Sequence, residues 1–288
     1  AHFSADILWR TGFRVPDPLF LAEVRDKTFL FASPLEAGRA EREADVDGVV
    51  RVIGDGYRAV RDFLKAQGIV RVDIPGGFPY GIGAKLENDF AVATAAEPWH
   101  PERAIKDAVE IREIMAAERA TERAFSAALA FLRACRIRGS AVYHGSYPAT
   151  SEMARKIIDD VLWNDGYLAT GTIVASGRQA ADPHCMGSGI LRARVPIVID
   201  IFPVSLTTHY YADMTRTVFK GEQAREYREM YAAVLLAQES AIKKIRAGAD
   251  GRAIHQGVCD YFFGEGYATR MDAKKPEGFI HGLGHGVG

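Results

Sequence analysis

Two carboxylates and a handful of imidazoles are the residues of this chain whose types and spacing could do chemistry. Asp200 and Asp213 stand 13 positions apart in VPIVIDIFPVSLTTHYYADMTRTV, and His281 and His285 stand four apart in the C-terminal HGLGHGVG. If the aspartates face each other across a hairpin, their side chains leave one face with Cβ atoms roughly 5 Å apart. Carboxylates that close repel unless a cation lies between them, so the pair predicts a shared metal ion. The plain alternative is a strand-ending Asp200 and a turn-capping Asp213. On a helix, His281 and His285 could clasp one ion. However, Gly282, Gly284, Gly286 and Gly288 each disfavour helix by about 1 kcal/mol relative to alanine. As a strand, the segment sets His281, Leu283, His285 and Val287 on one face, with the imidazoles ~13 Å apart at ~3.3 Å per residue. That spacing predicts one metal ligand and one group facing a substrate, with the glycines open to another backbone.

The elements that must position these residues follow from the hydrophobic pattern. Val195, Ile197, Val198, Ile199 and Ile201 predict a buried strand, and Tyr210 to Val218 a second one, rich in aromatic and β-branched residues. Upstream, strand and helix patterns alternate in the α/β manner: a strand over Thr28 to Phe31, a helix over Pro34 to Ala44 opened by Ser33, an amphipathic helix over Tyr57 to Ala66, and a strand over Val70 to Ile74. Pro75 to Gly83, PGGFPYGIG, has neither the P-loop lysine nor the Rossmann spacing and is expected to be a loop. A boundary is expected at EPWHPER, residues 97 to 103, followed by a long helix from Ala104 to Arg136. Met153, Ile157, Val161 and Leu162 form a helical stripe that breaks at Asn164 to Gly166 before a strand over Gly171 to Ser176. Tyr227, Met230, Tyr231, Val234, Ala241, Ile242 and Ile245 follow the 3.6-residue period, as do Ile254, Val258 and Phe262. Both stripes are expected to face the core, with His255 beside them in a structural role.

Composition bounds the function classes. A chain of 288 residues, 48% hydrophobic and 25% charged, is an ordinary globular protein of one or two domains. A net charge of −1 argues against nucleic acid or an anionic membrane held by bulk electrostatics, while leaving room for local patches. Cys135, Cys185 and Cys259 have no CxxC spacing and an odd count, which predicts neither a disulfide framework nor a structural zinc site and suits a reducing compartment. AHFSADILWR lacks the pattern of a secretory leader, and no run of about 18 apolar residues occurs, so a cytoplasmic location is expected.

The stretch IDIF...YYADMTRTVFKG resembles the first metal-ligand hairpin of the pita-bread metallopeptidases, the family of methionine aminopeptidase, aminopeptidase P and prolidase. HGLGHGVG resembles the family's metal-binding histidine segment, and ADILWRTGFRVPDPLFLAEVRDKTFLFAS is similar to the creatinase-type N-terminal domain of aminopeptidase P and prolidase. The resemblance implies an α+β protein. An α/β creatinase-like domain over residues 1–103 precedes a pita-bread catalytic domain over 104–288. It implies Asp200, Asp213 and His285 as metal ligands, and His281 as the histidine that contacts substrate and tetrahedral intermediate. His184, in ASGRQAADPHCMGSG, matches the position of a substrate-binding histidine, and Cys185 beside it is expected to be structural. Two divalent ions are implied, and a carboxylate-rich set with one imidazole suits Mn²⁺ or Co²⁺ as readily as Zn²⁺.

The implied reaction is hydrolysis of Xaa-Pro bonds in a peptide or dipeptide, by a homodimer with no nucleic-acid or membrane partner. Two departures bear on this. The hairpin is longer than usual, with Phe202 where a glycine is common, which a longer tip absorbs without changing face parity. The histidine and two glutamate segments that complete the family's site are not in the sequence, so an incomplete catalytic domain with weak metal binding and impaired activity is expected. The alternatives are a non-catalytic peptide- or protein-binding module on the same fold, and, third, a metal-free amidinohydrolase.

Overall fold

The computed structural model describes residues 4–96, 98–272 and 276–288. The chain divides into two compact units, Ala1–Ile105 and Lys106–Gly288. Among the described residues, no helix is long and apolar enough to cross a membrane.

In the first unit the order is α1 (Ala5–Thr11), β1 (Phe20–Val24), β2 (Lys27–Ala32), α2 (Pro34–Glu43), β3 (Gly48–Arg51), α3 (Gly56–Ala66), β4 (Arg71–Ile74), α4 (Tyr80–Leu86) and β5 (Ala91–Thr94). β2 pairs antiparallel with β1 and parallel with β3, and β4 and β5 form a separate parallel pair. Alternation along β2 feeds two cores. Leu30 packs with Phe13, Ala37 and Ala40, and Phe31 packs with Val60, Leu64, Leu86 and Phe90. A strand buried on both faces is the layered α/β arrangement. The loop expected over Pro75 to Gly83 ends early, because α4 begins at Tyr80. Pro79 sits at its N-cap with φ −59°, where a missing N–H costs nothing. The connection expected from residue 97 begins at Glu97, which lies outside the described residues, and the leader-free reading of AHFSADILWR likewise includes undescribed positions 1–3.

The second unit runs α5 (Ala108–Ala134), β6 (Arg136–Arg138), β7 (Ala141–His144), β8 (Tyr147–Pro148), α6 (Ser151–Asn164), β9 (Tyr167–Ala169), β10 (Ile173–Ser176), β11 (Pro196–Ile201), β12 (Pro203–Ser205), β13 (Met214–Phe219), α7 (Arg225–Lys244) and α8 (Gly251–Gly264). α5 starts four residues later than expected, because the Asp107 side chain accepts the N–H groups of Val109 and Glu110 while the Glu110 carboxylate accepts the Asp107 N–H. This reciprocal cap fixes the helix start. Ala120, Ala124, Ala128 and Leu132 of α5 pack with Ala154, Ile158 and Leu162 of α6 over Ile197, Ile199 and Ile201 of β11. β11 is the centre of an antiparallel sheet, β10-β11-β13.

Three expectations fail here. The second strand of the aspartate hairpin begins at Met214 rather than Tyr210, because the chain leaves β11 for β12, which pairs with β9, and returns only afterwards. Residues 281–288 join no ladder, so HGLGHGVG is not a strand; four of its eight residues lack the side-chain packing that makes a strand worth forming. On α7 the buried face is Ala233, Ala237 and Ala241, which meets Ile254, Val258 and Phe262 of α8. Met230, Tyr231, Val234, Ile242 and Ile245 of the expected core stripe are exposed instead. Small side chains let the two helices approach closely, and the larger apolar groups fall outside that seam.

Candidate metal centre

Asp200 and Asp213 reach one face by a route longer than a simple hairpin. In β11 the odd-numbered isoleucines are buried and Asp200 lies on the opposite face, directly across from Thr215 of β13. Asp213 is two residues before Thr215, so it occupies the diagonal position on the same face, with Cα atoms about 7–8 Å apart rather than directly opposed. The intervening excursion is closed by its own contacts. Phe202 stacks on Tyr211 at 4.9 Å, the Ala212 N–H donates to Pro203 O, and Ser205 Oγ accepts the N–H groups of Thr207 and Thr208. His209 turns the tip at φ +62°, a conformation that Asn, Asp and His adopt more readily than most residues.

The Asp200 and Asp213 carboxylates are held differently. Thr215 Oγ1 donates to Asp200 Oδ1 at 2.6 Å. Asp213 has no such donor on its carboxylate; its backbone N–H donates to Glu118 Oε1 of α5 at 3.4 Å. Burial, first, and then the negative charge of Asp200 push the Asp213 carboxyl above its ordinary range, with His285 acting in the opposite direction. A half-buried acid beside a second acid is the electrostatic setting that a cation relieves.

His285 brings the third group. Its Nε2 is 3.3 Å from Asp213 Oδ2, and its Nδ1 is 2.8 Å from the carbonyl oxygen of Gly286. A carbonyl oxygen only accepts, so the neutral ring carries its proton on Nδ1 and turns the Nε2 lone pair toward Asp213. The contact is satisfied by a proton on Nε2, which makes it an ion pair, or, with the ring neutral, by a cation between the two groups. The donor set, two carboxylates and a correctly tautomerised imidazole, therefore fits a divalent ion. The set is open: among the described residues, no three His, Cys, Asp or Glu side chains close into a preformed metal-binding group.

Two other predicted residues lie apart from this cluster. The His281 ring meets Phe279 edge-on at 4.8 Å, with Nδ1 2.8 Å from Gly282 O. Phe279 itself is held by Thr269, whose hydroxyl donates to Phe279 O and accepts the Phe279 N–H. His184 is exposed, and its backbone N–H donates to Asp182 Oδ1. Neither ring makes a hydrogen bond or ion pair with Asp200, Asp213 or His285. Cys185 is half-buried and unpaired in any disulfide, and His255 of α8 packs against Phe279 with its Nε2 3.5 Å from Cys259 Sγ.

The loop carrying His184 is anchored by residues the sequence did not single out. Arg155 of α6 donates to the carbonyl oxygens of Met186 and Gly187, Glu152 accepts the Gly189 N–H, and Gln179 and Ser188 exchange hydrogen bonds. Gly187, at φ +77°, passes so close to β10 that a Cβ would lie 2.0 Å from Val174 O. The i,i+3 pairing of Glu152 with Arg155 is visible in sequence, but its target is not. Thr215 could have been found as the β-branched residue two positions after Asp213. Glu118 gave no signal, being one carboxylate among many on a charged helix.

Residues 112–288 match the sequence model described as metallopeptidase family M24. Over 261 residues the chain is 26% identical to the Xaa-Pro dipeptidase of Pyrococcus horikoshii, covering 90% of this chain and 68% of that protein. It is 34% identical over 120 residues to the Xaa-Pro dipeptidase of Pyrococcus furiosus, and this stretch spans 42% of this chain and only 32% of the relative. Among solved structures, a prolidase from Pyrococcus furiosus superposes with a TM-score of 0.81 at 22% identity, covering 98% of this chain and 77% of that one. An Xaa-Pro dipeptidase from Bacillus anthracis gives 0.80 at 20% identity, covering 92% and 72%. These likenesses establish the α+β prolidase fold.

Proposed function

Because the chain belongs to metallopeptidase family M24, we propose that its second unit carries the amino-terminal part of a two-metal site for hydrolysis of Xaa-Pro bonds, in the manner of a prolidase or aminopeptidase P. The first unit is read as the creatinase-like domain of that lineage. The observation that carries the proposal is the approach of His285 Nε2 to Asp213 Oδ2, 3.3 Å, beside Asp200. Asp200, Asp213 and His285 would hold divalent metal, with Mn²⁺, Co²⁺ and Zn²⁺ all compatible with the donor types. Such ions, when bound, would lower the pKa of a coordinated water and polarise the scissile carbonyl.

The chain's own groups do the rest. Thr215 fixes the Asp200 carboxylate by donating to Oδ1, which leaves Oδ2 to face a ligand. His281, with its proton on Nδ1 toward Gly282 O, presents Nε2 as the atom that accepts a proton or, once protonated, donates to a developing oxyanion. His184 is assigned to substrate binding from its loop. The identity of the two Xaa-Pro dipeptidase relatives supports a substrate with proline in the second position. The exposed apolar residues of α7 support a homodimer, which sedimentation velocity would detect.

The test is calorimetry with Mn²⁺ together with Xaa-Pro dipeptide hydrolysis, on this chain and on the chain joined to the C-terminal segment of the Pyrococcus horikoshii relative. Weak or partial binding is expected for the chain with three ligands, and metal-dependent cleavage for the joined protein. Metal binding without cleavage of any Xaa-Pro peptide would refute the substrate class. The openness of the ligand set keeps one second reading in play, a peptide-binding module without turnover. It predicts affinity for proline peptides that is indifferent to Mn²⁺.

A further inference from the structure

Three segments free of acidic residues, 133–150, 188–199 and 217–221, converge on one surface of the second unit. They carry Arg133, Arg136, Arg138, Arg192, Arg194 and Lys220 and not one Asp or Glu. The segments are bonded to one another: Val142 N–H donates to Leu191 O, Arg194 N–H to Lys220 O, and Lys220 Nζ to Arg133 O. Among the described residues, none of the six cations makes an ion pair, in a chain whose net charge is −1. Charge is therefore segregated here rather than merely abundant.

The geometry of this surface is specific. Arg138 lies opposite Ala141 in the β6–β7 register, and Ala141 bridges Arg192 on its other side. Directly opposed residues share a face, so two guanidinium groups flank an alanine floor across two strand spacings, about 10 Å. The reverse face, with Val142 fully buried and Ile137 packed on it, belongs to the core. Three arginines are pre-set by protein acceptors: Arg138 by Gly145 O, Arg192 by Ser140 Oγ and Arg194 by Gly139 O. Each of these bonds occupies only part of a five-donor fork and lowers the entropy lost on binding an anion. Arg138 also lies over the Tyr143 ring at 4.9 Å on this face, whereas Tyr147, directly opposite His144, belongs to the reverse face.

We infer that this face binds the phosphate backbone of a single-stranded nucleic acid, with a phosphate seated over Ala141 between Arg138 and Arg192 and bases stacking on Tyr143 and the guanidinium planes. Arginine forks match phosphate bidentately, and the Tyr143 ring among them, which an acidic polypeptide does not require, favours nucleic acid over it.

The test is fluorescence anisotropy of a labelled oligouridine 12-mer titrated with the full chain at several salt concentrations. Arg138→Glu combined with Arg192→Glu should weaken binding at least tenfold and lower the slope of log K against log salt by about 0.7, the amount for the one single-strand phosphate seated between them. Arg138→Lys with Arg192→Lys keeps the charge and should fall between this pair and the parent. Tyr143→Ala should cost several-fold without changing the slope. Thermal melts confirm that each substitution leaves the fold intact. Absence of salt-dependent binding, an equal loss on Arg228→Glu in α7, or equal competition by polyglutamate or phosphatidylserine vesicles would each overturn the inference.

Discussion

At the scale of single residues, the chemistry divides between groups that hold charge and groups that hold position. Asp213 is the first kind. Replacing it by asparagine removes the anion that faces His285 Nε2, so Asp213→Asn in the joined protein should lose metal and activity together, as read by metal analysis and Xaa-Pro hydrolysis. His281 contacts Phe279 and Gly282 rather than Asp213. His281→Ala should therefore lower turnover while metal content stays at the parent level; equal metal loss in both variants would show that the histidines share an ion. Cys135 supplies a pH-dependent control. Burial pushes its thiol up, with Lys220 opposing, and only the thiolate reacts with iodoacetamide. Its alkylation should set in at a higher pH than that of an ordinary thiol, which mass spectrometry of the modified peptides would follow. That Asp200, Asp213 and His285 fall together was legible because their residue types share one chemistry. The diagonal placement of Asp213 was not, because it depends on where the chain leaves β11, and no residue near Phe202 announces that departure.

At the scale of elements, the sequence revealed periods more faithfully than it revealed faces. The 3.6-residue pattern of α7 was plain, yet the seam with α8 is built on Ala233, Ala237 and Ala241 rather than on the larger apolar residues. Period alone cannot distinguish a stripe buried by close approach from one left outside it. Ala237→Leu should accordingly destabilise the unit by about 1–3 kcal/mol through overpacking, and Leu236→Ser, on the exposed side, should change urea stability by no more than about 0.5 kcal/mol. The His184 loop makes a sharper case. Gly187→Ala places a Cβ against Val174 O and requires a left-handed backbone, so a loss of at least about 2 kcal/mol is expected. Arg155→Ala should cost less, about 1–2 kcal/mol, but should speed amide exchange across residues 182–189. The start of α5 was missed: it was expected at Ala104 after Pro101, whereas the reciprocal cap of Asp107 and Glu110 sets it at Ala108.

At the scale of the molecule, each of the two units encloses its own core. Residues 4–105, expressed alone, should unfold cooperatively in urea, since the layers about β2 are complete within that range. A non-cooperative melt would show that the unit borrows stability from elsewhere in the chain. The lineage was readable from a few dozen residues, because the ligand hairpin and the histidine segment combine rare chemistry with a fixed order. The convergence of acid-free segments was not, since it exists only after residues 133–150 and 188–199 are brought side by side.

The small contact between His285 Nδ1 and Gly286 O has a consequence for the order in which a working site is assembled. In many proteins the ring of a metal-binding histidine is oriented by a partner distant in sequence, and is ready only once the fold has closed around it. Here the partner is the next peptide group. The preference for a proton on one nitrogen travels with a dipeptide and exists while the segment is still loosely held. If His285 takes the metal-ligand role proposed for it, ion capture would precede the final docking of residues 281–288, and the segment would arrive at the two aspartates as a primed ligand to be fastened there by the ion itself.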